Sequence, residues 1–352
     1  MRGDGAARIG LTCLALALGP WLGDAAAAEP LMEIAIGIAP VVPDASTFLA
    51  IDKGYLREAG FEAHVETANS AATLIPFIAS NRVQVVQGGL SLGYFNAVAQ
   101  GLPLILALNS GSSPVNNTIM VRPDIADRFK TPADLKGKRV GIVAPGSIPE
   151  YGVGKVLATV GLTLKDIDIQ YIPFQSMGAA FANAGIDAAL EVPPYVDDLV
   201  TKGLAKAWID PDSIMDPTPT TTVAYMVNTD WAAKNKDAAH RLFLAFARAG
   251  REYCDAYHHG PNRAEVVDLL VKHQVMDDPV ALDRMRWQAR DPNGRFNLAS
   301  LIDIQDFFFR AGKLPAKAPE DRLVDPSYAE AAAAAFGPFK PTNEASTLEG
   351  CR

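Results

Sequence analysis

Short apolar runs recur along the chain, each closed by a turn and followed by a stretch whose apolar positions repeat at helical spacing. Residues 32–40 form the first run. Asp44 and Ser46 then stand as candidate helix N-caps before an amphipathic stretch reaching Glu58, punctuated by Gly54 and Gly60. Residues 61–68 alternate as a strand, 73–80 suit a short helix, 83–88 a strand, 92–100 a helix and 102–108 another strand. A small-residue stretch at 110–114 interrupts the series, which restarts with strands at 117–121, 140–144, 167–173 and 188–192 and helices near 149–160 and 177–184. The β-branched run at 220–227 leads back toward the first unit, and from 236 to 257 and beyond the pattern is helical. Alternation of this kind predicts an α/β protein with parallel pairing and crossover helices. The break predicts two lobes, 29–115 with 223–345 forming the first and its C-terminal helices, and 116–222 the second. Residues 346–352 are a tail, and two crossing segments form the hinge. Open α/β sheets bind small molecules beyond the carboxyl ends of their strands, so the cleft between the lobes is the expected ligand site.

The first 28 residues do not fit that pattern. Arg2 and Arg8 precede an apolar run at 9–22, and small residues at 25–28 follow before Glu29, which predicts a signal peptide over 1–28. The run is shorter than the roughly 20 residues needed to cross a bilayer, and Cys13 lies inside it, away from the end where a lipoprotein carries its modified cysteine. An exported, soluble protein is expected. The 352 residues include 32 Lys and Arg against 40 Asp and Glu, a net charge of -8, which argues against a nucleic-acid partner. Removing the leader leaves two cysteines, Cys254 and Cys351; an even number in an oxidising compartment suits a pair, and the alternative is one buried thiol on a helix and one free thiol on the tail. In the chain-entropy account so long a loop adds up to ~4 to 5 kcal/mol.

The chemistry sits in the loops that open helices: Ser46 after the first strand, Asn69 and Ser70 after the second, Gly89, Leu90 and Ser91 after the third, and Gly146 and Ser147 in the second unit. Helix N-termini present unpaired N–H groups that favour an anion or a strong acceptor, though each serine also suits a plain capping role. Ser147-Ile148-Pro149-Glu150 fits a capping box whose carboxylate repels an anion, so an acidic end of a ligand is expected nearer Ser70 and residues 89–91. Gly89-Leu90-Ser91-Leu92-Gly93 also matches G-x-S-x-G at a strand-to-helix turn. That makes a secreted serine hydrolase with Ser91 as nucleophile the alternative reading, with His240, His258, His259 and His273 as downstream histidines. No HGGG-type oxyanion segment precedes the serine, and the sheet pattern breaks into two units. Gly152-Val153-Gly154 lacks the third glycine of a dinucleotide fingerprint, no histidine spacing suits a metal, and residues 307–309 read as a buried helix face. No cofactor, metal or catalytic residue is expected.

Several segments together resemble a known family. These are Thr47-Phe48-Leu49-Ala50, Lys53-Gly54-Tyr55-Leu56, Ala59-Gly60-Phe61, Gly101-Leu102-Pro103, residues 134–141 beginning Asp134-Leu135-Lys136-Gly137-Lys138, Pro145-Gly146-Ser147 and Gly185-Ile186-Asp187-Ala188-Ala189. The chain, from about 32 to 337, is similar to the periplasmic solute-binding proteins of ABC importers for nitrate, sulfonates, taurine and thiamine-pyrimidine precursors. The resemblance implies a type II periplasmic-binding-protein fold with two mixed sheets flanked by helices. It also implies a periplasmic, monomeric receptor that hands a sulfonate, carboxylate or heteroaromatic solute to a membrane permease. The ligand-facing loops of the family carry over onto Ser46, Asn69, Ser70, Gly89, Leu90 and Ser91 in the first lobe. In the second lobe and crossover they carry over onto Asn116, Asn117, Gly146, Ser147, Tyr151 and the loop at Pro193. Relatives place an acidic residue directly before the proline that aligns with Pro194. Here that position is Pro193, and Glu191, two residues earlier, stands on the same side of a strand. The predicted loops contain no arginine, which favours an organic ligand with one acidic or carbonyl end over nitrate or sulfate. The family's enzymatic branch, similar to thiamine-pyrimidine synthase, uses a histidine and a cysteine-rich segment; His64 falls in a strand and no cysteine cluster exists.

Overall fold

The structure is a computed structural model that describes residues 30–38, 40–68 and 70–351; the expected signal peptide and Asn69 lie outside them. Residues 31–352 form one compact unit that contains two five-stranded sheets. The first sheet is built from β1 (Met32–Ile38), β2 (Phe61–Thr67), β3 (Val85–Gly89), β4 (Leu104–Ser112) and β10 (Thr221–Asn228), in the order β2-β1-β3-β10-β4. The second is built from β5 (Thr118–Val121), β6 (Arg139–Ile142), β7 (Asp168–Tyr171), β8 (Ala188–Glu191) and β9 (Lys206–Ile209), in the order β7-β6-β8-β5-β9.

The two orders are equivalent. In each sheet three strands run parallel, β2-β1-β3 or β7-β6-β8, and the strand that has just crossed from the other lobe inserts antiparallel beside them. The expected two-lobed α/β architecture is therefore present, with crossings at 113–117 and 210–220. Thr221 already pairs with Ser112, so the chain rejoins the first sheet two residues before the expected boundary at 223. The short edge strand β9, half exposed, has no counterpart among the expected strands.

The inner strands of each sheet are covered on both faces and read as apolar runs, whereas the edge strands β2, β7 and β9 are partly exposed. Alternate residues of β10 divide between two cores. Tyr225 and Val227 join Ile34, Ile36 and the 22-residue helix Lys236–Tyr257, while Ala224 and Met226 join Leu106, Phe95 and the helix Leu298–Arg310. The second sheet does the same, with Val140, Ile142 and Leu190 packed under the helix Ile148–Ala158 and Met120 and Ala189 under Phe174–Ala182. Of the three phenylalanines expected on one buried face, only Phe308 is fully buried and Phe309 is 41% exposed. Among the described residues no helix is long and apolar enough to cross a membrane, and no group of three or more His, Cys, Asp or Glu is arranged to hold a metal ion.

Cys254 and Cys351, the two cysteines expected to pair, are free thiols in the structure and deeply buried, and burial raises the pKa of Cys254. The tail is nonetheless tied down: the Tyr257 hydroxyl donates to the Glu349 carbonyl at 2.5 Å and the Cys351 amide to the Arg290 carbonyl at 3.1 Å.

Candidate functional site

Parallel strands in equivalent sheets point their carboxyl ends the same way, and the loops beyond those ends meet across one cavity of about 340 Å³. From the first sheet come residues 40–43 after β1, Ala68, Ser70 and Ala71 after β2, and Gly89, Leu90 and Ser91 at the end of β3. From the second come Val143, Ser147, Ile148 and Pro149 after β6, Phe174 and Gln175 after β7, and Val192, Pro193 and Tyr195 after β8. The first crossing adds Val115 and Asn117, β10 adds Thr222 and Val223, and the C-terminal region adds Gln274, Val275, Met285 and Gln288.

Seven of the expected residues stand in this wall: Ser70, Gly89, Leu90, Ser91, Asn117, Ser147 and Pro193. Others do not, each for a visible reason. Ser46 lies below the wall and caps nothing; its hydroxyl meets the Tyr225 hydroxyl at 3.0 Å and accepts from Arg290 at 2.9 Å. Asn116 has φ +59 and turns away, its side chain donating to the Trp287 carbonyl and its amide to Asp212 Oδ2, both at 2.9 Å. Gly146, at φ +69, donates its amide to Glu150 Oε2 at 2.5 Å and accepts Leu92 N–H at 2.7 Å. A Cβ there would lie 2.4 Å from Leu92 Cβ, so the close approach requires glycine. The carboxylate of Glu150 thus returns one residue earlier than the capping box at Ser147 implies. Ser147 itself donates its hydroxyl to the Ala144 carbonyl at 2.8 Å.

Tyr151 packs outside the cavity, its hydroxyl donating to Asp303 Oδ2 at 2.6 Å and its ring edge-on to Phe307 with centroids 5.3 Å apart. Glu191 is fully buried behind the wall. One carboxyl oxygen accepts the Val192 amide at 3.3 Å, the other has no partner among the described residues, and burial pushes the group up to about 9.

Several N–H groups in these loops are taken by the protein. Leu90 N–H donates to the Thr222 carbonyl at 2.8 Å, Leu92 N–H to Gly146, Tyr94 N–H to Ser91 Oγ at 3.4 Å, and Ala72 N–H to Ser70 Oγ at 3.2 Å. None of the described histidines shares the cavity with Ser91. His273 stacks on Phe48 with centroids 4.0 Å apart, His240 lies against Tyr328, and His258 meets Ser346 at 2.8 Å.

On one side the lobes touch. Ser91 and Ser147 form an antiparallel bridge. Along the helix Ile148–Ala158, the Tyr151 hydroxyl and Lys155 Nζ, at 3.0 Å, both reach Asp303, and Lys313 pairs with the fully buried Glu150. Reading the sequence missed Phe174, Gln175 and Tyr195, which follow the same strand-end rule that found Ser91. It also missed Gln274, Val275, Met285 and Gln288, which reach the cavity from the segments following the helices Arg263–Lys272 and Pro279–Arg284, with no local signal to connect them to it. Gln288 is held by donating to Thr222 Oγ1 at 2.5 Å.

Known proteins share this shape. The structure matches the periplasmic nitrate-binding protein NrtA of Synechocystis PCC 6803 with a TM-score of 0.72 at 15% identity, covering 91% of this chain and 92% of that one. It matches the alkanesulfonate-binding protein SsuA of Xanthomonas axonopodis pv. citri, bound to MOPS, with a TM-score of 0.68 at 19% identity, covering 84% and 99%. At such identities the likeness shows the fold alone. A Brucella abortus (strain 2308) protein, named only as a candidate binding protein, is 24% identical over 237 residues, 66% of this chain and 68% of its own. A family model described as NMT1/THI5 like matches residues 44–259, more than half of the sequence, and with the duplicated sheet order and the shared cavity this places the chain in the NMT1/THI5-like family.

Proposed function

We propose that this chain is the solute-binding component of an ABC importer, working in the periplasm as a monomer and passing a small organic molecule, chemically unaltered, to a membrane permease. The observation that carries the reading is the cavity itself: both sheets supply its wall from equivalent loops, and only two crossings join them. A molecule that touches Ser70 and Ser91 on one side and Asn117, Ser147 and Gln175 on the other binds the closed arrangement more strongly than an open one. Closure follows from that difference in affinity. Polar side chains set orientation and the apolar wall supplies most of the contact. The solute-binding names of the relatives support the reading, and among the described residues no histidine shares the cavity with Ser91, which counts against the hydrolase alternative.

The test is a thermal-shift screen of small organic solutes on the chain from residue 29 onward, followed by mass spectrometry of each stabilising compound after incubation. A ligand at 100 times its dissociation constant adds ~2.7 kcal/mol. Asn117→Ala is expected to weaken the hit about tenfold, and the compound is expected to come back unchanged. Formation of a product that is lost in Ser91→Ala would replace this reading with the hydrolase.

A further inference from the structure

We infer that the molecule this cavity takes is uncharged, an apolar ring compound carrying neutral donors and acceptors such as an amide, carbonyl or hydroxyl. The inference rests on the solute-binding reading above and narrows it.

Among the described residues, none of those lining the cavity is Asp, Glu, Lys, Arg or His. Its polar groups are neutral amides and hydroxyls, chiefly Ser91, Asn117, Ser147, Gln175, Thr222 and Gln288. A charge moved from water into such a site has no countercharge, and its desolvation exceeds what neutral hydrogen bonds return. Three nearby backbone donors are already taken: the N–H groups of Leu90, Leu92 and Gly146 are bonded to protein oxygens, and the last of these oxygens belongs to the Glu150 side chain. That side chain, paired with Lys313, occupies the start of the helix Ile148–Ala158, where an anion would otherwise be favoured. A cation fares no better. Glu191, behind the wall, is kept protonated at neutral pH by its burial and so offers no negative field.

The remaining wall is apolar. Val41, Leu90, Val143, Ile148, Val192 and Val275 line it, and Phe174 lies over Tyr195 with centroids 6.0 Å apart and planes 23° from parallel. A ring packs on such a pair with favourable offset geometry. The volume of about 340 Å³ is at the lower end of ligand pockets and suits one or two rings.

The experiment uses the mature chain and isosteric sets at pH 7.5: benzamide, benzoate and benzylammonium, with the two-ring naphthamide, naphthoate and naphthylmethylammonium. Compounds extracted from undialysed periplasmic protein are identified in parallel by mass spectrometry in both ion modes. The neutral member of a set is expected to bind at least tenfold more tightly than its charged partners, with the carboxylate catching up near pH 4 where it becomes neutral. The extract is expected to yield an uncharged compound. Tighter binding of a carboxylate or ammonium, or an ionic compound in the extract, would overturn the charge inference and leave the binding-protein reading standing. An empty extract together with no stabilisation by any compound would overturn the binding-protein reading and this inference with it.

Discussion

Replacing Glu191 by glutamine is expected to stabilise the protein at neutral pH. Burial lifts the carboxyl from its ordinary 4.5 to about 9, so the folded state holds a proton that the unfolded chain releases above 4.5. For an acid raised in this way, stability is full below the unfolded value and falls as pH rises toward the folded one. Each unit costs about 1.4 kcal/mol, so at pH 7 the wild type has given up about 3 kcal/mol. Glutamine keeps the shape and still accepts the Val192 amide, but it buries an amide N–H₂ without a partner, which costs about 1 kcal/mol. The net gain at pH 7 is therefore about 2 kcal/mol. Urea denaturation of Glu191→Gln and wild type across pH 4 to 8 checks this. The two curves are expected to cross near pH 5, with the variant less stable below and its advantage growing by about 1.4 kcal/mol per unit above. A difference that stays flat with pH, or widens as the solution is acidified, would show that the carboxyl is ionised in the fold and refute the reasoning.

Two further predictions concern the side where the lobes touch. A Cβ on Gly154 would stand 2.1 Å from Phe307 Cζ, so Gly154→Ala is expected to cost about 1 to 3 kcal/mol and to increase the radius of gyration in small-angle scattering; an unchanged radius would show that Phe307 simply moves aside. Asp303→Ala removes the acceptor shared by the Tyr151 hydroxyl and Lys155 Nζ and is expected to cost about 1 to 3 kcal/mol and speed ligand release. Asp303→Asn keeps an acceptor for Tyr151 and is expected to cost less; equal effects in denaturation and stopped-flow release would mean that the charge on Asp303 is the whole of the contact.

The architecture was legible because its cause is local. Strand-length apolar runs and helical periodicity are properties of neighbouring residues, and the restart after 110–114 marks the real crossing. The same locality explains the misses. Ser46, Gly146 and Tyr151 stand at the right places in sequence, but what decides their roles is a distant partner: Arg290 for Ser46, Leu92 for Gly146 and Asp303 for Tyr151. Asn116 and Asn117 are adjacent, yet the positive φ at Asn116 turns one away and leaves the other in the wall. Donors in the loop at 89–92 are likewise claimed by partners distant in sequence, Leu90 N–H by the Thr222 carbonyl and Leu92 N–H by the Gly146 carbonyl. Gln274 and Gln288 carry no motif and reach the cavity only through the packing of the C-terminal helices.

The place of β10 in the first sheet has a consequence for how the molecule is made. It lies between β3 and β4, so the sheet that begins with the earliest strand lacks its middle until residue 228 has been synthesised. The second sheet needs nothing outside 118–209. The lobe encoded in the interior of the chain is thus the one able to assemble first, and the older half of the polypeptide waits for it.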